Sequence, residues 1–184
     1  MSLKELTYEH HRNAERQEFV KILMSGSIDP KVYATFLYNQ YINYNILEAI
    51  AMSQGVLNGL PDIRRAPKII ADYTELWGDE NLVTPPKTMP SGKEYADHIM
   101  SIATDSDKLM AHIYTRHMGD LSGGQMIRKK VPGKGTMFDF EDADSLKTAI
   151  RERLNDNMAE EARICFDFAT KLFQEMIDEV KSST

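Results

Sequence analysis

Residues 108–131 read KLMAHIYTRHMGDLSGGQMIRKKV, and the fold turns on whether this stretch is one helix, a bent helix or a loop. Its flanks are helical in pattern. Leu109, Ile113 and Met126 suit a packed helix face, and Ser106 or Asp107 offers an N-cap. The centre, Gly119-Asp120-Leu121-Ser122-Gly123-Gly124, does not fit. An interior glycine costs about 1 kcal/mol relative to alanine, so three cost on the order of 3 kcal/mol. That is a large share of a domain's stability and needs an offset. Gly119 and Gly123 are four residues apart and share a face. A face without Cβ atoms lets a flat group reach the backbone. The spacing predicts a kink. It leaves open a flat ligand, a close helix crossing or a plain loop.

Leu121–Gln125 also spells LSGGQ, a string known from ATP-binding-cassette ATPases. Such a domain needs a phosphate loop of the form G-x-x-x-x-G-K-[ST]. Gly92-Lys93 is followed by Glu94, and Gly133-Lys134 by Gly135, with no glycine at the earlier position in either case. No parallel sheet is predicted, and the ATPase reading falls.

Outward from this segment the punctuation is helical throughout. A first helix is predicted over 3–24, ending at Gly26. Asp29-Pro30, an N-cap followed by proline, opens a second over about 30–55. Pro61-Asp62 opens a third that ends before Gly78, and residues 79–90, with Pro85, Pro86 and Pro90, read as a loop. Ser91 and Glu94 have capping-box spacing for a fourth helix. A helix over about 107–130 is broken by VPGKGT at 131–136, and helices over 142–154 and 157–181 complete the chain. With no period-2 strand, the fold class is all-α, in one domain spanning 1–184.

Composition narrows the function. The 184 residues are 42% hydrophobic and 27% charged, as in an ordinary globular protein. A net charge of −6 argues against a nucleic-acid partner. The single cysteine, Cys165, excludes an intrachain disulfide and points to a reducing, cytoplasmic compartment. The polar N-terminus is unlike a signal peptide, and neither a membrane span nor a membrane anchor is expected.

The string Tyr114-Thr115-Arg116-His117-Met118-Gly119-Asp120-Leu121-Ser122-Gly123-Gly124-Gln125 resembles the distal-helix signature of the haem oxygenases, usually Y-T-R-Y-L-G-D-L-S-G-G-Q. His117 and Met118 replace tyrosine and leucine. Leu3-Lys4-Glu5, Thr7 and His11-Arg12-Asn13-Ala14-Glu15 are similar to the family's proximal helix. Leu37-Tyr38-Asn39-Gln40-Tyr41, Lys147 with Arg151, and Glu160-Glu161-Ala162 with Phe166 match in order. The resemblance spans nearly the whole chain. It implies a helical fold that holds haem between a proximal and a kinked distal helix. It also implies cleavage of that haem to biliverdin, carbon monoxide and ferrous iron, with dioxygen as co-substrate.

It further assigns residues. His11 becomes the iron ligand, although helical pattern alone favours His10, which shares a stripe with Leu3, Leu6 and Ala14. Glu15, at i+4, would accept a hydrogen bond from the second ring nitrogen of His11. His98 and His112 read as structural or exposed. Lys4, Tyr114, Lys147 and Arg151 would hold the two propionates, and Phe166 would line the haem site. Asp120 would be the catalytic acid, acting through an ordered water, with Arg116 and Tyr41 in its hydrogen-bond network. Gly119 and Gly123 would let the distal helix crowd the ring. No flavin or iron–sulfur motif is present, so an external electron donor, a ferredoxin or a reductase, is implied. Arg128, Lys129, Lys130 and Lys134 are a candidate dock for it. The competing function is a non-catalytic haem-binding or storage protein.

Overall fold

The computed structural model describes residues 1–78 and 84–182, so residues 79–83 of the expected loop lie outside it. Ten α-helices and two 3₁₀ turns make up the regular structure of the described residues, and no strand is found among them. They are α1 (Leu3–Leu6), α2 (Tyr8–Glu15), α3 (Glu18–Leu23), α4 (Pro30–Ser53), α5 (Ala66–Trp77), α6 (Pro90–Ser101), α7 (Ser106–Leu121), α8 (Gly124–Arg128), α9 (Ala143–Arg151) and α10 (Ala159–Ser182). The 3₁₀ turns are Thr136–Phe138 and Asp156–Met158.

The all-α reading holds, with local corrections. The expected helix over 3–24 is three pieces. Thr7 breaks the first boundary, its hydroxyl bonded back to the Leu3 carbonyl at 2.9 Å. Gln17, extended at ψ 143°, breaks the second. The third expected helix starts at Ala66, not at 61–62, because Asp62 takes a left-handed φ of +62°. Aspartate tolerates that conformation, and here its carboxylate accepts the Glu141 amide at 2.9 Å. The Ser91–Glu94 capping box does not form. Pro90 opens α6 with Met89 as N-cap, and the Ser91 amide donates to Glu175 at 2.9 Å. Asp105, not Ser106 or Asp107, caps α7 by accepting from the Lys108 amide. Asp29 caps α4 as expected, accepting from Lys31 and Val32.

The long helices α4 and α10 organise the rest. α4 packs against α5, α6 and α7, while α10 packs against α7, α2, α3 and α6. Two apolar clusters fill the interior. One gathers Leu47, Ile99, Leu109, Ile113, Leu146, Ile150 and Ala162 around the middle of α7. The other gathers Phe19, Leu37, Tyr44, Ile69, Phe138, Leu172 and Met176 at the far end of α4. Both contribute to the surroundings of the kinked segment, which therefore rests on a packed base. Among the described residues no helix is long and apolar enough to cross a membrane.

Candidate functional site

The kink forms where the glycines place it. α7 ends at Leu121, Ser122 leaves helical geometry at φ −114° and ψ −92°, and α8 restarts at Gly124. Gln125 spans the break, its Nε2 donating to the carbonyls of Asp120 at 3.1 Å and Phe138 at 2.9 Å. The three glycines have two different uses. A Cβ on Gly124 would lie 2.8 Å from the Phe138 ring, so this glycine permits packing. A Cβ on Gly119 or Gly123 would meet nothing within 4 Å. These two are exposed, which rules out a close helix crossing at their face. The bare backbone there borders open space.

Asp120 sits at the base of that face, 8% exposed. Its Oδ2 accepts from the Tyr44 hydroxyl of α4 at 2.8 Å. Burial raises its pKa to about 6, against the lowering influence of His117, Tyr44, Arg65 and Arg116. A carboxyl in this range exchanges a proton near neutrality, as general acids do.

Beneath Asp120 lies an ion pair that the family signature did not announce. His117 Nδ1 donates to the Ile113 carbonyl at 3.1 Å, and Nε2 lies 2.7 Å from Glu48 Oε2. Both side chains are fully buried. Glu48 also accepts the amides of Arg65 at 2.6 Å and Ala66 at 2.9 Å, which satisfies the start of α5. Burial would raise the Glu48 pKa, but His117 and these two amides outweigh it and lower it. The replacement of tyrosine by His117 thus fastens α7 to α4 and α5.

Arg116 takes the other side of α7. Its Nε donates to the Tyr95 hydroxyl at 3.0 Å, and its guanidinium lies 4.3 Å from the Tyr95 ring and 5.5 Å from the Tyr44 ring. Among the described residues its buried Nη2 has no hydrogen-bond partner, an arrangement that calls for a ligand or water oxygen. Tyr95 in turn contacts His112 Nδ1 at 2.7 Å, and His112 Nε2 contacts Glu161 at 2.8 Å. Tyr41 is half-buried against the second apolar cluster. Tyr44, three residues on, is the tyrosine that reaches Asp120. The sequence reading missed it, although α4 also carries Tyr33, Tyr38 and Tyr41, and only the tertiary fold selects among them.

On α2, His11 stacks on Phe166 of α10 with ring centroids 4.9 Å apart and planes at 17°. Its Nε2 lies 2.6 Å from Glu15 Oε1, the expected i, i+4 partner, and the pair is about half exposed. His10 is tied to α10 instead, with Nδ1 2.8 Å from Asp167. Tyr114 links the two ends of the site. Burial raises its pKa, while the charge of Arg151 and a hydrogen bond with Thr7 pull the other way. Thr7, at the α1–α2 joint, is thus tied to Tyr114, and the charge of Arg151 of α9 acts on the same phenol. Lys4 is exposed on α1 and Lys147 half-buried on α9. Arg128 pairs with Asp139, which leaves Lys129, Lys130 and Lys134 as the exposed part of the basic run.

Comparison with known proteins identifies the family. A family model described as heme oxygenase matches residues 1–175. Heme oxygenase 1 of Synechocystis sp. is 29% identical over 199 residues, covering 95% of this chain and 82% of that protein. Heme oxygenase 2 of Mus musculus is 30% identical, covering 95% of this chain and 64% of the mouse protein. The crystal structure of the Synechocystis heme oxygenase-1 in complex with heme superposes with a TM-score of 0.82 at 25% identity, covering 98% of this chain and 95% of that one. The heme oxygenase from Leptospira interrogans superposes with a TM-score of 0.79 at 26% identity, covering 95% of this chain and all of that one (100%). The chain belongs to the haem oxygenase family.

Proposed function

We propose that this chain binds haem as its substrate and, with dioxygen and electrons, converts it to biliverdin, carbon monoxide and ferrous iron. The observation that carries the reading is the open face at Gly119 and Gly123 beside a buried, hydrogen-bonded Asp120 with a pKa near 6. The residues fit a flat, dianionic, iron-bearing ligand. The bare glycine backbone accepts a ring, an imidazole stands on α2, and cations stand on α1 and α9.

Haem supplies the iron that activates dioxygen and the ring that is opened. His11 holds the iron through one ring nitrogen, while Glu15 fixes the other and makes the imidazole a better donor. Phe166 backs the imidazole ring. Lys4, Tyr114, Lys147 and Arg151 orient the propionates. Asp120 holds a proton at Oδ1 or Oδ2 and passes it through an ordered water, so that the acid itself stays off the reacting oxygen. Tyr44 fixes the carboxyl orientation from below. The unpartnered Nη2 of Arg116 anchors water in the same network, and Tyr41 stands on the neighbouring turn of α4. Gly119 and Gly123 let the backbone exclude bulk water from the ring edges they cover.

Electrons come from an external ferredoxin or reductase. Lys129, Lys130 and Lys134 form the dock for its acidic surface. Buried Cys165 suits a cytoplasmic, reducing compartment. A haem-storage role needs no poised buried acid, which favours catalysis. Titration with haem followed by reductant in air, watched by absorption, tests the reading. The expected result is a 1:1 histidine-ligated complex that is lost in His11→Ala and retained in His10→Ala, followed by appearance of biliverdin. A stable reduced complex that never yields biliverdin would make the chain a storage protein.

A further inference from the structure

We propose that His98, His112 and Glu161 form a binding site for a divalent transition-metal ion of the zinc class, at the junction of α6, α7 and α10. Three helices far apart in sequence each contribute one ligand-bearing side chain, and the three donor atoms lie within 4.8 Å of one another. The two imidazole Nε2 atoms converge on a single carboxylate oxygen. His112 Nε2 is 2.8 Å from Glu161 Oε1, and His98 Nε2 contacts the same oxygen.

Zinc bonds of about 2.0–2.1 Å at tetrahedral angles need donors about 3.3 Å apart. The His112–Glu161 separation of 2.8 Å is shorter than that, and all three donors lie within 4.8 Å of one another, so modest side-chain rotation would open the cluster to an ion. Two imidazoles and one carboxylate are the donors that zinc, cobalt and ferrous iron favour, whereas magnesium and calcium prefer all-oxygen shells. Three protein ligands leave a fourth position for water. His112 is fully buried, and His98 is 23% exposed, so one side of the cluster opens to solvent.

The surroundings match a built site. A ligating histidine has its second ring nitrogen fixed by an outer partner. Here the Tyr95 hydroxyl meets His112 Nδ1 at 2.7 Å, and Arg116 Nε holds that hydroxyl at 3.0 Å. The same chain of contacts ties the proposed ion to Arg116. An ion bound at His112 would therefore stiffen the placement of the guanidinium.

Equilibrium dialysis against Zn²⁺ alone tests the site, on haem-loaded protein and again on haem-free protein, which keeps the outcome independent of the haem reading. One zinc per chain with micromolar or tighter affinity is expected, undisplaced by excess Mg²⁺. His98→Ala, at a partly exposed position, should weaken retention by at least on the order of 100-fold, since outer-partner losses alone cost 10–100-fold. Glu161→Gln should do the same, and Tyr95→Phe should weaken it about tenfold. Circular dichroism checks that each variant is folded. No retained zinc at micromolar concentrations, or retention undiminished in both His98→Ala and Glu161→Gln, would overturn the proposal.

Discussion

The Tyr44 hydroxyl donates to Asp120 Oδ2 at 2.8 Å, joining the middle of α4 to the last turn of α7 just before the kink. Both groups are buried. The bond therefore fixes a carboxyl that would otherwise rotate freely toward the open glycine face. Tyr44→Phe should leave haem binding near that of the parent, because the proposed iron ligand, His11, lies on α2. Turnover to biliverdin should fall about 10–100-fold, the effect of removing one hydrogen bond to a buried charged group. The Asp120 pKa, followed by carbon NMR of the labelled carboxyl in haem-free protein, should rise further above about 6, since Tyr44 lowers it. An unchanged carboxyl titration would show that the bond does not persist in solution.

The glycines of the kink should separate by role. Gly124→Ala drives a Cβ against Phe138 at 2.8 Å and should destabilise the fold. Among the described residues, Gly119→Ala and Gly123→Ala would meet no atom within 4 Å beyond their own stretch of chain. For Gly119, inside α7, alanine should stabilise the haem-free protein by about 1 kcal/mol through helix propensity. Both open-face variants should nonetheless weaken haem binding. Thermal melts with and without haem check the pattern. A Gly119→Ala variant that binds haem like the parent would show that the ring does not use this face.

Asp120 also gives the fold a pH dependence of definite sign. Its folded pKa of about 6 exceeds the ordinary 3.8. Between those values the native state binds more protons than the unfolded state, so stability falls as pH rises through the window. The gap corresponds to about 3 kcal/mol at most. Asp120→Asn has no proton to release. Its urea-derived stability relative to the parent should therefore improve from about pH 4 to about pH 7. A parent-minus-variant difference that is flat over this range would contradict the raised pKa.

Much of this was legible in the chain itself, for identifiable reasons. Asp29-Pro30 announced α4 because capping is local chemistry, and the three glycines announced the kink because their cost is local too. What the kink was for came from the family resemblance alone, because pattern left a flat ligand, a close crossing and a plain loop open. Open space at Gly119 and Gly123, and a ring against Gly124, are properties of neighbours brought in by the fold. The breaks at Thr7 and Gln17 were missed in a segment that packs against α10, distant in sequence. Tyr44 was passed over for Tyr41 because four tyrosines lie along α4 and only contact with α7 tells them apart. No sequence signal singled out Arg65, yet it is fully buried. Its guanidinium donates to the Met137 carbonyl at 2.9 Å and the Asp139 carbonyl at 2.6 Å, and lies 3.7 Å from the Phe140 ring.

If Asp120 directs the chemistry on bound haem, Asp120→Ala should change the reaction itself. Alanine is the better helix former, so folding should be preserved. Haem should bind with its histidine ligation intact, because His11 lies on a different helix. The measurement is the yield of biliverdin per haem consumed, with an electron donor and air supplied, in variant and parent. That yield should fall on the order of 100-fold, the usual contribution of a positioned acid. Peroxide added to the ferric complex should then oxidise added phenols, so that the reaction changes rather than merely slows. Biliverdin formed by the variant at the parent's rate and yield would show that Asp120 does not direct the chemistry.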